Sequence, residues 1–207
     1  GNYLEVPYGP TADSTNSLER AIESLKSLAL KNSAVFIRLE PIGKFNLNSI
    51  RQFGAVHAPK NFQPKFSLKI DLSQDLKAIW KNLNKGRKSA IKIANKHLGY
   101  ETASTKEFTS VFLEMLHDNV VRLNITPHSS TYYETMVESL SKINASTICL
   151  AKHHNKPVAS AIFLDSPTTR YYLHAASYPE ARSTEAASGI LWHMIVNTKK
   201  KGLEWFD

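Results

Sequence analysis

Thr147-Ile-Cys-Leu-Ala151 and Val158-Ala-Ser-Ala-Ile-Phe-Leu164 are two short apolar runs, and the turn sequence His154-Asn-Lys-Pro157 lies between them. Apolar runs of this length that are bounded by turn residues are typical of buried strands, so the segment predicts a β-hairpin. A second turn, Asp165-Ser-Pro-Thr168, leads into Arg170-Tyr-Tyr-Leu-His-Ala-Ala176, which predicts a third antiparallel strand. These three strands form the centre from which the rest of the fold is predicted.

The elements on either side follow from the spacing of apolar residues, since intervals of three and four indicate helices and alternation indicates strands. The predicted elements are a strand at 66–72, helices at 74–98 (interrupted at Gly86), 105–122, 129–142 and 184–201, and a last strand at 203–206. The order strand, helices, three strands, helix, strand is that of an α+β fold of the N-acetyltransferase (GNAT) type. A fold does not by itself fix a function.

A separate unit is predicted before residue 66. Residues 17–31 have helical spacing, with Asp13, Ser14 or Thr15 as the N-cap, and 34–39 predict a strand. Residues 43–66 are rich in glycine and proline and predict a connector with a short helix near 47–53. The first residue is not methionine and the last lies within a strand-like run, so we expect a fragment whose first unit starts before Gly1.

Composition limits the kind of protein. The chain has 207 residues, of which 42% are hydrophobic, so it can bury a core. No apolar stretch approaches the ~20 residues of a membrane span, and no leader is visible. The single cysteine, Cys149, excludes a disulfide framework and fits a reducing compartment, so we expect a cytoplasmic protein, with the inner membrane surface as an alternative location.

Most of the positive charge is concentrated in one segment. Between Lys69 and Tyr100 there are eight Lys/Arg and two acids, which leaves six of the chain's eight net charges in 32 residues. One interpretation is a solvated helix face, and the other is a surface for a phosphate-rich partner. On the second interpretation Arg87 grips an oxyanion, and the phosphate contacts come from lysines, namely Lys85, Lys88, Lys92 and Lys96.

The basic segment contains a longer motif, Arg87-Lys-Ser-Ala-Ile-Lys-Ile-Ala-Asn-Lys-His-Leu-Gly-Tyr100. It resembles the Arg-x-x-Ile-(Arg/Lys)-x-Ala-x-(Lys/Glu)-x-Gly signature of the Fem family of peptidyltransferases, with about one extra residue before Gly99. Val6-Pro-Tyr-Gly-Pro10 resembles an element of its first domain. Ile125-Thr-Pro-His-Ser-Ser-Thr-Tyr-Tyr133 resembles the segment before its Tyr-Tyr helix, and residues 157–207 resemble its closing strands and helix.

The resemblance implies two tandem acyltransferase-like domains, with residues 1–60 as the end of the first domain and connector, and 66–207 as a second domain truncated at its C-terminal end. It implies transfer of an amino acid from aminoacyl-tRNA to the stem peptide of a UDP-MurNAc-peptide or lipid-linked peptidoglycan precursor, by a monomer with no cofactor. The catalytic lysine of the family would lie beyond Asp207.

The resemblance also implies precursor-binding residues. Tyr132 fits an Arg-x-x-x-Tyr pair, but His128 occupies the arginine position, and a neutral imidazole holds phosphate less well than a guanidinium. Arg87 is the third candidate. Tyr171 and Tyr172 are neighbours on one strand and must face opposite sides, so one is expected in the core and the other, Tyr172, in a groove.

Two other functions remain open. An acyl-CoA N-acetyltransferase would carry (Gln/Arg)-x-x-Gly-x-(Gly/Ala) where a strand enters a helix, but Arg182-Ser-Thr-Glu-Ala-Ala187 has Glu185 at the glycine position, where a carboxylate repels pyrophosphate. A basic RNA-binding module without chemistry is the second alternative. His153-His154 lacks further ligands at metal-binding spacing, so no metal is predicted.

Overall fold

The computed structural model describes residues 1–43, 45–60, 62–64 and 66–207, which form two compact units, Gly1–Ser67 and Leu68–Asp207. In the first unit, strands β1 (Asn2–Val6) and β2 (Ala34–Leu39) pair in parallel and are connected by helix α1 (Thr15–Lys31). Ser14 is the N-cap of α1 and accepts a hydrogen bond from the backbone N–H of Ser17, as a helix start requires. A 3₁₀ helix follows at Leu47–Phe53.

The second unit is built on a six-stranded sheet in the order β3-β8-β7-β6-β5-β4. All neighbouring strands are antiparallel except β7 and β8, which are parallel. The strands are β3 (Ile70–Asp71), β4 (Gly99–Ala103), β5 (Ser146–His153), β6 (Lys156–Asp165), β7 (Thr169–Ser177) and β8 (Trp205–Phe206).

Helices cover both faces of this sheet. They are α2 (Leu76–Asn82), α3 (Lys85–His97), α4 (Lys106–Leu123), α5 (Ser130–Ser141) and α6 (Ala186–Lys200). Helices α2, α3 and α6 bury Cys149, Ala161 and Phe163 on one face. Helices α4 and α5 bury Ile148 and Ile162 on the other, as the alternation of side chains along β5 and β6 requires.

The predicted central strands and the flanking helices are confirmed within a few residues, and so is the α+β fold. Cys149 is fully buried among apolar neighbours, which raises the pKa of its thiol to about 12 and makes it an inert core residue.

Two predictions of local structure are wrong, and one strand was not predicted. The strand expected at 66–72 is limited to Ile70–Asp71, because β8 pairs with those two residues and Leu68 is 80% exposed. The stripe at 74–98 is two helices, and the break lies at Leu83–Asn84, where the Asn84 side chain caps α3, rather than at Gly86. Strand β4 was not predicted, because it is short and follows α3 directly.

One glycine of the second unit is required by close packing. A Cβ at Gly189 of α6 would lie 2.0 Å from Tyr100 Oη and 2.6 Å from Ala94 Cβ. The absence of a side chain therefore lets α6 approach α3 and β4, which fixes the start of α6 against the sheet.

Within the described parts of the chain, none of the helices has the length and apolar character needed to cross a bilayer.

Candidate functional site

An open cleft of about 220 Å³ lies where β6 and β7 meet the first turns of α6. Its walls are mostly methyl groups, those of Ala159, Ala161, Ala175, Ala176 and Ala187. The larger side chains at its edge are Asn119, Ser160, Tyr172, Ser177 and Ile190. The cleft is thus small, mostly apolar and lined in part by residues with hydroxyl and amide groups.

Strand β8 pairs with the first part of β7, next to the cleft. The two strands pair at Thr169 and Arg170, and the Tyr172 N–H donates to the Asp207 carbonyl at 2.9 Å.

The polar groups of the cleft differ in how they are satisfied. Asn119 Oδ1 accepts a hydrogen bond of 2.5 Å from Arg122, which also donates to the Ser177 carbonyl at 2.9 Å. Ser160 is 1% exposed, and its Oγ has no hydrogen-bond partner among the described residues. An unpaired buried hydroxyl costs about 1–3 kcal/mol, so Ser160 is the unusual member of the group.

Tyr172 lies in this cleft, as expected for a groove residue, but its neighbour Tyr171 is not in the core. Tyr171 is 38% and Tyr172 is 40% exposed. They face opposite sides of the sheet, Tyr172 opposite Phe163 and Tyr171 opposite Leu164. Burial raises the pKa of Tyr172, so its hydroxyl stays protonated at neutral pH and can donate a hydrogen bond.

A register shift at Ile162/Phe163 makes room for this arrangement. Because β7 carries one extra residue there, Tyr172 and Ala175 face α6, whereas His174 pairs with Ile162 on the opposite face. Strict alternation along the strand could not have predicted this grouping.

On that opposite face, four aromatic rings form a cluster where α5 begins beside β7. His128 stacks on Tyr132 with ring centroids 4.1 Å apart, and His174 lies 6.1 Å from Tyr132 and 5.0 Å from Tyr133. Tyr133 is buried, whereas Tyr132 is 40% exposed. The structure therefore places the predicted pair His128 and Tyr132 together, but on the other side of the sheet from Tyr172.

His174 is the titratable centre of this cluster. Burial, followed by the nearby charge of His128, lowers the pKa of His174 below its usual 6.5. Its Nε2 has no partner among the described residues. The ring is therefore neutral at physiological pH, so one of its nitrogens can donate a hydrogen bond and the other can accept one.

The basic segment forms one exposed face of α3. Lys85, Lys92 and Lys96 are exposed, and none of them forms an ion pair with any carboxylate that the structure describes. Lys88 differs, because its Nζ donates to the Lys81 carbonyl at 2.9 Å and joins α3 to α2. Three of the four predicted phosphate-binding lysines are thus uncompensated positive charges.

Arg87 is directed toward α6. Its Nη1 donates to Ser188 Oγ at 2.6 Å, and Ser188 is 2% exposed. The guanidinium retains further donors, so it can position α6 and still bind an anion.

The segment before α6 determines what the start of this helix can bind. Glu185 is the residue before α6 and has a left-handed backbone with φ 53° and ψ 36°. That conformation favours glycine, and the Glu185 side chain makes no capping hydrogen bond. An exposed carboxylate therefore stands at the helix start, where a pyrophosphate would otherwise be attracted.

The second unit can be compared with known families. Residues 79–207 match the model of the family described as acetyltransferase (GNAT) domain. The chain belongs to this family. The GNAT domain covers the cleft, the aromatic cluster and most of the basic face, so an acyltransferase fold carries all of the candidate residues. The curated proteins include no match to the chain.

Solved structures extend the likeness beyond the GNAT domain. The structure of FemX is similar over 99% of this chain and 70% of its own, with a TM-score of 0.73 and 14% identity. A second similar structure is the C-terminal domain (DUF2156) of an Agrobacterium fabrum protein that bears the name lysylphosphatidylglycerol synthetase. Its TM-score is 0.54 at 11% identity, and the match covers 96% of this chain and 65% of that one. The predicted resemblance to the Fem family is therefore confirmed for the fold.

Three residues of the cleft and the aromatic cluster were not predicted from the sequence, namely Tyr133, His174 and Ser160. Tyr133 and His174 lie far apart in the chain and meet only through packing of α5 on β7. His174 and Ser160 each stand within a run that predicts a strand. No local signal distinguishes a serine whose hydroxyl lacks a partner. His153 and His154 lie with ring centroids 4.1 Å apart in a turn, and the described residues contain no metal-binding group of three.

Proposed function

We propose that this chain is the acyl-transferring part of an enzyme that moves an amino acid from aminoacyl-tRNA to the stem peptide of a peptidoglycan precursor. The acceptor would be a UDP-MurNAc-peptide or its lipid-linked form. In the reaction, the stem-peptide amine attacks the ester carbonyl, a C–N bond forms, and the C–O bond to the tRNA breaks. The 3′-hydroxyl leaves with one proton, and the proton lost by the amine goes to a base or to solvent.

The observation that carries this proposal is the uncompensated basic face of α3. An acyl-CoA donor needs backbone N–H groups for a pyrophosphate and gains little from a row of exposed lysines. A tRNA donor presents a phosphate backbone, to which Lys85, Lys92 and Lys96 can bind as point charges. The FemX-like fold supports the same choice, whereas Glu185 disfavours a CoA pyrophosphate at the start of α6.

The proposed substrate contacts lie on both faces of the sheet. Tyr132 and His128 stack at the start of α5, where the exposed Tyr132 hydroxyl is available to a precursor phosphate or carboxylate. Tyr172 is available to the acyl group from the cleft. Arg87 is assigned a positioning role through Ser188, together with anion binding.

We further propose that residues 1–60 belong to a first acyltransferase-like domain with its connector and 66–207 to the second. A cytoplasmic monomer, at or near the inner membrane surface, would meet both proposed substrates.

The test is binding and transfer with matched lysine variants. Lys85, Lys92 and Lys96 are changed together to Gln, and the control carries Gln at three exposed lysines away from α3, Lys106, Lys156 and Lys200. The α3 variant should reduce tRNA affinity and lower the slope of log K against log salt by about 2–3, since each phosphate contact contributes about 0.7–0.9. The control should change the slope far less.

Transfer is measured with the full-length gene product, radiolabelled aminoacyl-tRNA and a UDP-MurNAc-pentapeptide. Product that requires aminoacylated tRNA supports the proposal. Saturable micromolar binding of acetyl-CoA with acetyl transfer, and no aminoacyl transfer, would assign the chain to acyl-CoA chemistry. Equal affinity for charged and uncharged tRNA with no transfer would indicate an RNA-binding module. The same assay is repeated with phosphatidylglycerol as an alternative acceptor.

A further inference from the structure

Three histidines form a cluster of rings at the C-terminal end of the basic face of α3. His97 is in the last turn of α3, and its ring centroid is 6.1 Å from that of His153 at the end of β5. The His153 ring in turn lies 4.1 Å from that of His154. His97 and His154 are exposed, so this histidine cluster is a surface feature rather than part of the core.

The hairpin turn between β5 and β6 holds two of the rings in place. His153 pairs with Lys156, and the two residues between them have positive φ, 49° for His154 and 62° for Asn155. This is the backbone of a two-residue hairpin turn of the primed type, for which asparagine, aspartate and glycine are the preferred residues. The chain therefore carries an imidazole at the tip of the hairpin although the turn prefers other residues there.

The acid nearest in the sheet is already neutralised and faces away from the histidine cluster. Glu101 of β4 lies opposite Leu150, on the face covered by α4 and α5, and forms an ion pair of 2.6 Å with Lys152. On the other face, His193 of α6 stacks on Tyr100 of β4 with ring centroids 4.7 Å apart. In the described parts of the chain, none of the three clustered rings forms an ion pair with a carboxylate.

The histidine cluster continues the lysine face of α3. The lysines from Lys85 to Lys96 extend over about 16 Å of α3, at a rise of about 1.5 Å per residue, and His97 follows directly. Lys156 is exposed and lies opposite His153 across the hairpin turn. Ammonium groups therefore stand on both sides of the three rings, which makes the whole surface a site for negative charge.

Phosphate is the ligand class that this surface favours. Imidazole is the side chain whose charge changes between about pH 5 and 8, and a protonated ring offers two N–H donors to an anion. An unpaired RNA base can also stack on an exposed histidine ring, such as that of His154. A lipid surface supplies phosphate groups but no bases, so the ring pair favours RNA. The described residues include no group of three that could hold a metal ion.

We propose that His97, His153 and His154 form a second phosphate-contact surface for RNA, continuous with the lysine face of α3, and that protonation of these rings strengthens RNA binding as the pH falls. The inference rests on the proposed use of aminoacyl-tRNA. It adds a set of donor contacts on the β5–β6 hairpin and a pH dependence of donor binding.

The test is the salt dependence of tRNA binding at two pH values. Fluorescein-labelled, unacylated tRNA is titrated with the full-length protein at about pH 6 and about pH 8, and the affinity is measured by fluorescence anisotropy over a range of salt concentrations. With two or three additional phosphate contacts, the slope of log K against log salt should be steeper at the lower pH by about 1.4–2.7, since each contact contributes about 0.7–0.9.

Two sets of variants locate the effect. The combination of His97→Gln, His153→Gln and His154→Asn should remove the pH dependence and leave the slope at about pH 8 unchanged, where an imidazole is ordinarily uncharged. His97→Lys with His153→Lys should instead steepen the slope at about pH 8 by about 1.4–1.8, because two of the charges are then permanent. His57→Gln with His117→Gln, two exposed histidines outside the cluster, is the control and should keep the pH dependence of the unmodified protein.

The outcomes separate this inference from the proposed function. Equal slopes at both pH values, or a pH dependence that survives removal of the three rings, would overturn the histidine surface, while a loss of affinity in the Lys85, Lys92 and Lys96 variant would still support the proposed donor. Absence of tRNA binding under all conditions would contradict both. Binding to phosphatidylglycerol vesicles that requires the three rings, with RNA binding independent of them, would assign the cluster to a lipid surface instead.

Discussion

The two ends of the β6–β7 hairpin differ in how their polar groups are paired. At the turn end, Arg170 donates to Asp165 through Nε at 2.6 Å and Nη2 at 2.7 Å, and to Asn197 Oδ1 at 2.6 Å. Lys201 completes the network with an Asp165 contact of 2.7 Å. At the other end, by contrast, Ser160 Oγ and His174 Nε2 have no partner among the described residues.

The difference separates an end whose polar groups are all paired from an end with two unpaired polar groups. Arg170 is 1% exposed, and a buried charge is tolerated only when it is paired. The network therefore fixes β7 to α6 and β8 at the turn. At the other end, the unpaired groups of Ser160 and His174 lie beside the cleft and in the aromatic cluster. The same two strands thus carry a charge-paired end and an end with unpaired polar groups.

The largest expected effect is at the charge-paired end. Arg170→Met should lower the free energy of unfolding by about 3–5 kcal/mol, because Asp165 would remain buried without its main partner. Denaturant unfolding followed by circular dichroism measures it. Lys201→Met is the comparison, since Lys201 is 42% exposed and should cost less than about 1 kcal/mol. A loss below 1 kcal/mol for Arg170→Met would remove the distinction between the ends.

Next in size is the packing that holds α6 beside the end with unpaired polar groups. Gly189→Ala should cost about 1–3 kcal/mol, since its methyl group would overlap Tyr100 Oη and Ala94 Cβ. Tyr100→Phe should be nearly neutral alone, because that hydroxyl is buried without a partner in the described structure, and should relieve part of the cost in the double variant. If the free-energy changes of Gly189→Ala and Tyr100→Phe simply add in the double variant, the added methyl group and the Tyr100 hydroxyl are not in contact.

A smaller effect of opposite sign is expected at Ser160. Ser160→Ala should raise the free energy of unfolding by up to about 1 kcal/mol in the ligand-free protein, since it removes a buried hydroxyl that lacks a partner. Thermal unfolding without ligand measures the change, and Ser146→Ala is the control. Ser146 is also buried, but its Oγ donates to the Val137 carbonyl, so its loss should destabilise. Destabilisation by both variants would indicate that Ser160 is satisfied.

The smallest effect is the dependence of stability on pH, which should differ between the ends. Burial and the charge of His128 lower the pKa of folded His174, so its contribution is present above pH 6.5 and decreases as the pH falls below it. At Asp165, burial raises the pKa, but hydrogen bonds from Arg170 and Lys201 outweigh it, so the net pKa is lowered and stability is lost only below pH 3.8.

His174→Gln should flatten the stability profile just below pH 6.5 and leave the acid limb unchanged. His193 has a pKa lowered by burial and by Lys200, so a residual slope should remain and should disappear in the double variant with His193→Gln. Urea unfolding at intervals of half a pH unit would show this. An unchanged slope in both variants would contradict the assignment.

Much of this fold could be predicted from the sequence because its central signals are local. The apolar runs and turn residues of the hairpin, the helical spacing of α1, α4 and α5, and the N-cap residues each act within a few positions. Period-two alternation at 66–72 was misleading, because a strand also needs a neighbour, and β8 offers only two paired residues.

The candidate site was less predictable. The basic face follows from helical spacing, and the pair of His128 and Tyr132 is implied by the resemblance to the Fem family. The structure places the rings of that pair 4.1 Å apart. Whether the Lys88 ammonium is free depends on α2, whereas the surroundings of His174 and Ser160 depend on the register between β6 and β7. Such contacts are between residues distant in sequence, which no spacing rule reports.

The sequence by itself determined the order of elements, the concentration of charge on α3 and the family resemblance, because each is written in consecutive residues. Tertiary structure alone decided that Tyr172 and His174 lie on opposite faces of the sheet and that Arg87 donates a hydrogen bond to Ser188. It also decided that Ser160 lacks a partner beside a cleft. The physical reason is that hydrogen-bond satisfaction and cavity shape depend on which distant segments meet, and the energy of each depends on the full set of neighbours.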